Sequence, residues 1–329
     1  IPGGRPEGAR MTQRLAAFSA ALFLAAPAAA QVPFAPAPDQ LSDPNATVVE
    51  ELVVVARDKG PPWWRVSDGD TTVYVLGAPD MMPKGWAWDQ SVLQRRLTGA
   101  NVVILPFNNM GVSLLGAPAA AISYARMKGK PIEERLPAPV RARFTAAREK
   151  LGQPPKRYAW DSELFAAVIM VSDLRDRERV TVADPGKTVE RMAKAMKLKT
   201  VKKVYPLGGL FGEVRRTPAA VQRQCLSEVL EAVEAGAGDI RAAGEAWAEG
   251  DARAGLRVDR PYDRCINAVP AGRKLYADLK ADTAEAIAQA LRTPGHAVAV
   301  VHMGSLVSQG GVLDQLRDRG FTVKTPGDV

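Results

Sequence analysis

Residues 297–323 read AVAVVHMGSLVSQGGVLDQLRDRGFTV, and their patterning decides the fold class. Residues 297–301 form a continuous apolar run of strand length. After a loop, residues 311–319 read as a helix and Phe321-Thr322-Val323 as a final strand. Strand, helix and strand at this spacing predict a βαβ unit, and hence a partly parallel sheet. The other end of the chain has a matching start. Trp64-Arg65-Val66 and residues 72–76 read as strands joined by the turn Ser67-Asp68-Gly69-Asp70. Residues 91–98 predict a short helix and 102–105 a buried strand. Helical segments follow at about 117–128, 138–151, 161–175 and 187–198. A strand is expected at 201–204, then helices at about 217–235 and 238–249, from Asp263 onward, and over 271–291. The expected fold is α/β: a central mixed, partly parallel β-sheet flanked by helices, with a helical middle insertion. Both halves place a loop directly after a buried strand, at 77–83 and at 302–311, and such loops are where open α/β sheets build their sites.

The bulk composition narrows the function classes. At 47% hydrophobic and 24% charged, the 329 residues suit a globular protein of one large domain or two small ones. Net charge is +8, a modest surplus spread along the chain that speaks for solubility. Without a helix-turn-helix pattern, an aromatic-and-basic RNA motif or a zinc finger, no nucleic-acid partner is expected.

Residues 11–31, MTQRLAAFSAALFLAAPAAAQ, read as an export signal. Arg14 supplies the positive start, the apolar segment 15–24 is too short to span a bilayer, and Ala28-Ala29-Ala30 gives the small-x-small cleavage pattern before Gln31. Residues 1–10 are an upstream extension. The mature chain has no transmembrane segment and is expected to be periplasmic or secreted. Its two cysteines, Cys225 and Cys265, favour a disulfide in such a compartment, with two separate buried thiols as the alternative. Residues 31–61 begin Pro- and Ala-rich and read as a linker. They contain the β-prone run 48–56, which resembles the segment by which outer-membrane receptors engage TonB, although an edge strand or a sticky linker explains it better.

Two loops carry a family resemblance. Trp64-Arg65-Val66-Ser67-Asp68-Gly69-Asp70, then Val73-Tyr74-Val75-Leu76-Gly77 and Met82-Pro83-Lys84-Gly85-Trp86-Ala87-Trp88, resemble the opening of the TraB/GumN family. Val298-Ala299-Val300 with residues 311–323 resembles its closing segment, so the likeness covers about residues 62–325, within a domain of 62–329. The resemblance implies relatives of Tiki-type metalloproteases, in which a Gly-x-x-His motif at each end and glutamates at strand ends hold a divalent metal with an open position for water. This chain departs from that pattern. The first motif reads Gly77-Ala78-Pro79-Asp80, with Asp80 at the histidine position. The second reads His302-Met303-Gly304-Ser305, with Ser305 at the histidine position and His302 at the glycine. The glutamate positions fall at Pro106 and Tyr205, and an arginine-asparagine pair implied for the late helix has no counterpart around 279–283.

The expectation is therefore an exported family member with a degenerate hydrolase site, acting as a non-catalytic binding or accessory protein of the cell envelope. Its ligand cleft would involve Asp80, Trp86, His302 and Ser305, and its partner would be a peptide, a glycan or an envelope protein. No cofactor is expected. The alternative is a metal-dependent peptide hydrolase with a rearranged site, in which Asp80 and His302 hold Mn, Co or Zn. The family's name also suggests a factor associated with polysaccharide biosynthesis. A Ser305–His302–Asp80 triad is disfavoured because two members share one short loop. The basic run 187–203 reads as a core-facing stripe beneath a solvated lysine face. Trp63, Trp64, Trp86 and Trp88 cluster near the first loop, where they either pack in the core or stack on sugars or peptide side chains.

Overall fold

The computed structural model describes residues 49–54, 60–107, 109–111, 116–206, 212–214, 216–258 and 260–328. The export signal 11–30, the extension 1–10 and most of the linker 31–61 lie outside the described residues. Strands β1 (Trp63–Ser67) and β2 (Thr71–Ala78) form the predicted hairpin. Its turn is closed by the Asp68 carboxylate, which accepts the Thr71 N–H at 3.0 Å. Further strands are β3 (Met82–Pro83), β4 (Val103–Ile104), β5 (Asn109–Gly111), β6 (Val180–Thr181), β7 (Thr200–Val201), β8 (Val204–Pro206), β9 (Gly295–His302) and β10 (Thr322–Lys324). The main sheet has the order β10-β1-β2-β9-β4-β7. Strands β2, β9, β4 and β7 run parallel, while β1 is antiparallel to both its neighbours. The sheet is thus mixed and partly parallel, as the sequence patterning predicts. β9 sits between β2 and β4, where its run Ala297–Val301 is buried throughout.

Helices surround this sheet, and several match their predicted spans closely, among them Ala138–Lys150, Glu163–Arg177, Ala219–Ala235 and Pro270–Ala290. Three places differ. The expected strand 201–204 splits at Lys202 and Lys203: β7 joins the main sheet and β8 pairs with β5. The helix expected from 187 begins at Asp184, with Pro185 in its first turn, where a missing N–H is harmless. The loop 302–311 contains a short helix, Met303–Val307, because Met303, Leu306 and Val307 are all fully buried and turn inward together.

Two hydrophobic cores result. One packs both faces of the sheet. The other lies among the helices 138–150, 163–177, 219–235 and 261–267. Within the second core Cys225 and Cys265 form a disulfide, with Cα atoms 5.4 Å apart. By loop-closure entropy alone this link over 40 residues stabilises the fold by about 4 kcal/mol.

Residues ahead of the expected boundary at 62 pack against the domain. Leu52 and Val53 are buried in the sheet core, and Trp64 Nε1 donates to the Leu52 carbonyl at 3.0 Å. The Val49 N–H donates to Val307 O at 2.8 Å, and Arg253 Nη2 to Val53 O at 3.2 Å. The described part of the 48–56 run is therefore bound into the fold. Leu52→Ala is expected to lower stability by about 2–5 kcal/mol in urea unfolding, as for other large-to-small core changes. Glu51→Ala, at an exposed ion pair with Arg317, should change it by less than about 1 kcal/mol.

Candidate functional site

The parallel pairing of β2 with β9 sets Ala78 opposite His302, so both post-strand loops leave the same edge of the sheet. Asp80 lies just beyond β2 and His302 is the last residue of β9. Because β9 ends there, the side-chain alternation that would turn His302 away from the site does not continue past it. Asp80 Oδ1 stands 4.0 Å from His302 Nδ1. Asp80 Oδ2 accepts the Gly304 N–H at 3.1 Å and lies 3.3 Å from Arg260 Nη1. The same guanidinium nitrogen is 3.4 Å from Asp263 Oδ2, and the Tyr276 hydroxyl donates to Asp263 Oδ1. Side-chain exposures of 8% for Arg260, 14% for Asp80 and 20% for Asp263 make this a largely buried cluster of one cation and two anions. Burial, reinforced by the Asp263 charge, pushes the Tyr276 phenol well above its usual pKa.

Gly77, the glycine of the first motif, and Gly304, between His302 and Ser305 in the second, have steric reasons of their own. A Cβ on Gly77 would fall 2.3 Å from Trp64 Cζ3 and 2.9 Å from Met303 Cγ. The Gly77 carbonyl, meanwhile, accepts Trp247 Nε1 at 2.6 Å. A Cβ on Gly304 would fall 2.4 Å from Arg260 Nη1 and 2.9 Å from Asp80 Oδ2. The close approach of Asp80 and Arg260 to this backbone thus depends on the missing side chain.

The remaining sequence-derived positions go elsewhere. Ser305 is buried in the helix Met303–Val307 and, among the described residues, makes no hydrogen bond to His302 or Asp80. Pro106 packs against Gly186 at the start of the helix Asp184–Ala195. Tyr205 donates to Asp282 Oδ2 at 2.7 Å on the helix Pro270–Ala290, where Lys203 pairs with the same oxygen. Burial, then the Asp282 contact, raises the Tyr205 phenol. Burial opposes ionisation of Asp282, yet the hydrogen bonds from Lys203 and Tyr205 outweigh it and hold that carboxyl below its ordinary range. Trp86 lines a separate cleft, together with Trp88, whose walls do not include Asp80, His302 or Ser305. Sequence reading missed Arg260 and Asp263. The only local signal is Pro261 in a helix's first turn, which places Arg260 at the cap.

The donor set does not suit a divalent metal. Among the described residues no three His, Cys, Asp or Glu side chains converge on one point. Asp80 Oδ1 faces His302, but the other oxygen of the same carboxylate lies 3.3 Å from the Arg260 guanidinium, whose positive charge disfavours a second cation there.

Adjacent parallel strands drawn from opposite ends of the chain, with motif loops meeting at their carboxyl edge, define an open α/β protein with one composite post-strand site. Residues 62–325 match the TraB/PrgY/gumN family over most of the chain, and the protein belongs to that family. No curated protein and no solved structure matches it.

Arg260→Ala leaves two largely buried carboxylates without their shared cation and is expected to cost about 3–5 kcal/mol in denaturant unfolding. Gly304→Ala alone should cost about 1–3 kcal/mol through crowding. In the double variant the two losses should sum to less than their total, because removing the guanidinium removes the clash. At the Tyr205 contact, the lowered Asp282 pKa means stability present above the unfolded value and lost as pH falls through the folded one. The difference in Tm between the wild type and Asp282→Asn should therefore be largest near pH 7 and shrink below about pH 4.

Proposed function

We propose that this family member is an exported, non-catalytic binding or accessory protein of the cell envelope whose hydrolase site is degenerate. The observation that carries the reading is the state of Asp80. It occupies the position where the family resemblance implies a metal-binding imidazole, and its charge is answered from within the protein by Arg260 and the Gly304 N–H. The Asp80 carboxylate is thus paired within the protein, without a bound cation. Retention of Gly77 accords with this, since a side chain there would collide with Trp64 and Met303 whether or not chemistry occurs. The Cys225–Cys265 disulfide suits an oxidising compartment, in keeping with the export pattern at 11–30. The chemistry of such a role is recognition of a peptide, a glycan or an envelope protein.

A second reading, a metal-dependent peptide hydrolase with a rearranged site, is favoured by one observation: Asp80 and His302 approach to 4.0 Å. Equilibrium dialysis of the full chain against Mn²⁺, Co²⁺ and Zn²⁺, alongside an Asp80→Ala, His302→Ala double variant, separates the two. The proposed role predicts no stoichiometric metal in either protein. Stoichiometric metal in the wild type that vanishes in the double variant would establish the hydrolase reading instead.

A further inference from the structure

The pair Trp86 and Trp88 and the basic run beginning at Lys187 meet across one cleft of about 520 Å³, within the size range of small-molecule sites. Its floor is the extended segment after β3, in which both indoles are half-buried. Trp88 is held from behind by Trp247, edge to face at 5.5 Å, and Trp247 is itself anchored to the Gly77 carbonyl. The opposite wall is the helix Asp184–Ala195, which presents Lys187 and Arg191 one turn apart, with Thr188 between them.

These two cations are the unusual feature. Like charges at i,i+4 on one helix face oppose each other by a few tenths of a kcal/mol, roughly 0.2–0.5. Neighbouring basic residues are compensated: Lys194 and Lys202 share Glu190, and Lys84 pairs with Asp176 at 3.0 Å. The side chains of Lys187 and Arg191 make no ion pair or hydrogen bond among the described residues, although they flank a cleft with two indole faces. An arrangement of repelling, uncompensated cations beside aromatic surface calls for an anion carried on a ligand with flat apolar faces.

The first turn of the helix narrows the kind of anion. Asp184 already places a carboxylate at the helix N-terminus, where it accepts the Gly85 N–H, so a phosphate dianion seated at that end would meet a negative charge. The cations lie further along the helix as two separate single charges, which suits dispersed carboxylates. Uncharged polar residues, Gln90, Thr181 and Thr188, also line the cleft, which suits a rigid polyhydroxylated ring.

We infer that the cleft between Trp86–Trp88 and the helix Asp184–Ala195 binds a carboxylate-bearing saccharide, with the indoles against ring faces and Lys187 and Arg191 on the carboxylates. The inference stands independently of whether the Asp80 site holds a metal. Calorimetric titration of the full chain with trigalacturonic acid tests it, with maltotriose as the neutral control and AMP and triglutamate as competing anion classes. The expected result is binding of trigalacturonate that weakens with added salt and falls about tenfold or more in Lys187→Ala, Arg191→Ala. Trp86→Ala should weaken it as well, and maltotriose should bind far more weakly than trigalacturonate. Both cations are solvent-exposed, so the double variant keeps its fold, which circular dichroism verifies. No binding at millimolar trigalacturonate, equal affinity for maltotriose, or an unchanged double variant would overturn the proposal. So would a preference for AMP or triglutamate.

Discussion

The parallel pairing of β2 with β9 is the constraint on which the rest of the structure depends. It runs unbroken from Thr71 opposite Gly295 to Ala78 opposite His302. Parallel strands need cover on both faces, which explains why Ala297–Val301 is apolar without alternation and why helices lie around the sheet. The same register sends both motif loops off one edge. Asp80 and Gly304, 224 residues apart in sequence, therefore share a hydrogen bond.

Legibility in the sequence followed the length and regularity of the signal. Residues 72–76 and 297–301 are long apolar runs, and helices such as Glu163–Arg177 carry enough turns for their period to show. β3 and β6 are two residues each and have no period to read; they exist because Met82 and Val180 are buried against their surroundings. Residues 49–54 look like the end of a linker because their role is tertiary, supplying Leu52 and Val53 to a core built by other segments. The site was half legible for a similar reason. Asp80 and His302 stand in recognisable loops, whereas Arg260 belongs to a helix whose relation to those loops is set only by packing.

That helix ties the two hydrophobic cores to the site. Pro261–Asn267 is held to the helix Ala219–Ala235 by the Cys225–Cys265 bond and, one residue before it, by the Arg264–Glu228 ion pair. From this fixed support Arg260 and Asp263 reach Asp80 and Tyr276. A buried guanidinium shared by two carboxylates adds little net stability once desolvation is counted, but it allows one arrangement and penalises the others. The helical middle therefore does more than decorate the sheet, since it supplies the cation that pairs with Asp80.

The sheet order also has a consequence for how the chain is made. β9 occupies the middle of the sheet yet follows β2, β4 and β7 in the chain. Until residues 295–302 arrive, β2 and β4 have no partner between them, and each exposes an unpaired, apolar strand edge. Everything upstream can form helices and a hairpin, but the centre stays open, a state prone to mispairing with other chains. Loss of residues 295–302 would thus leave the sheet divided between β2 and β4, with the disulfide-linked helices intact.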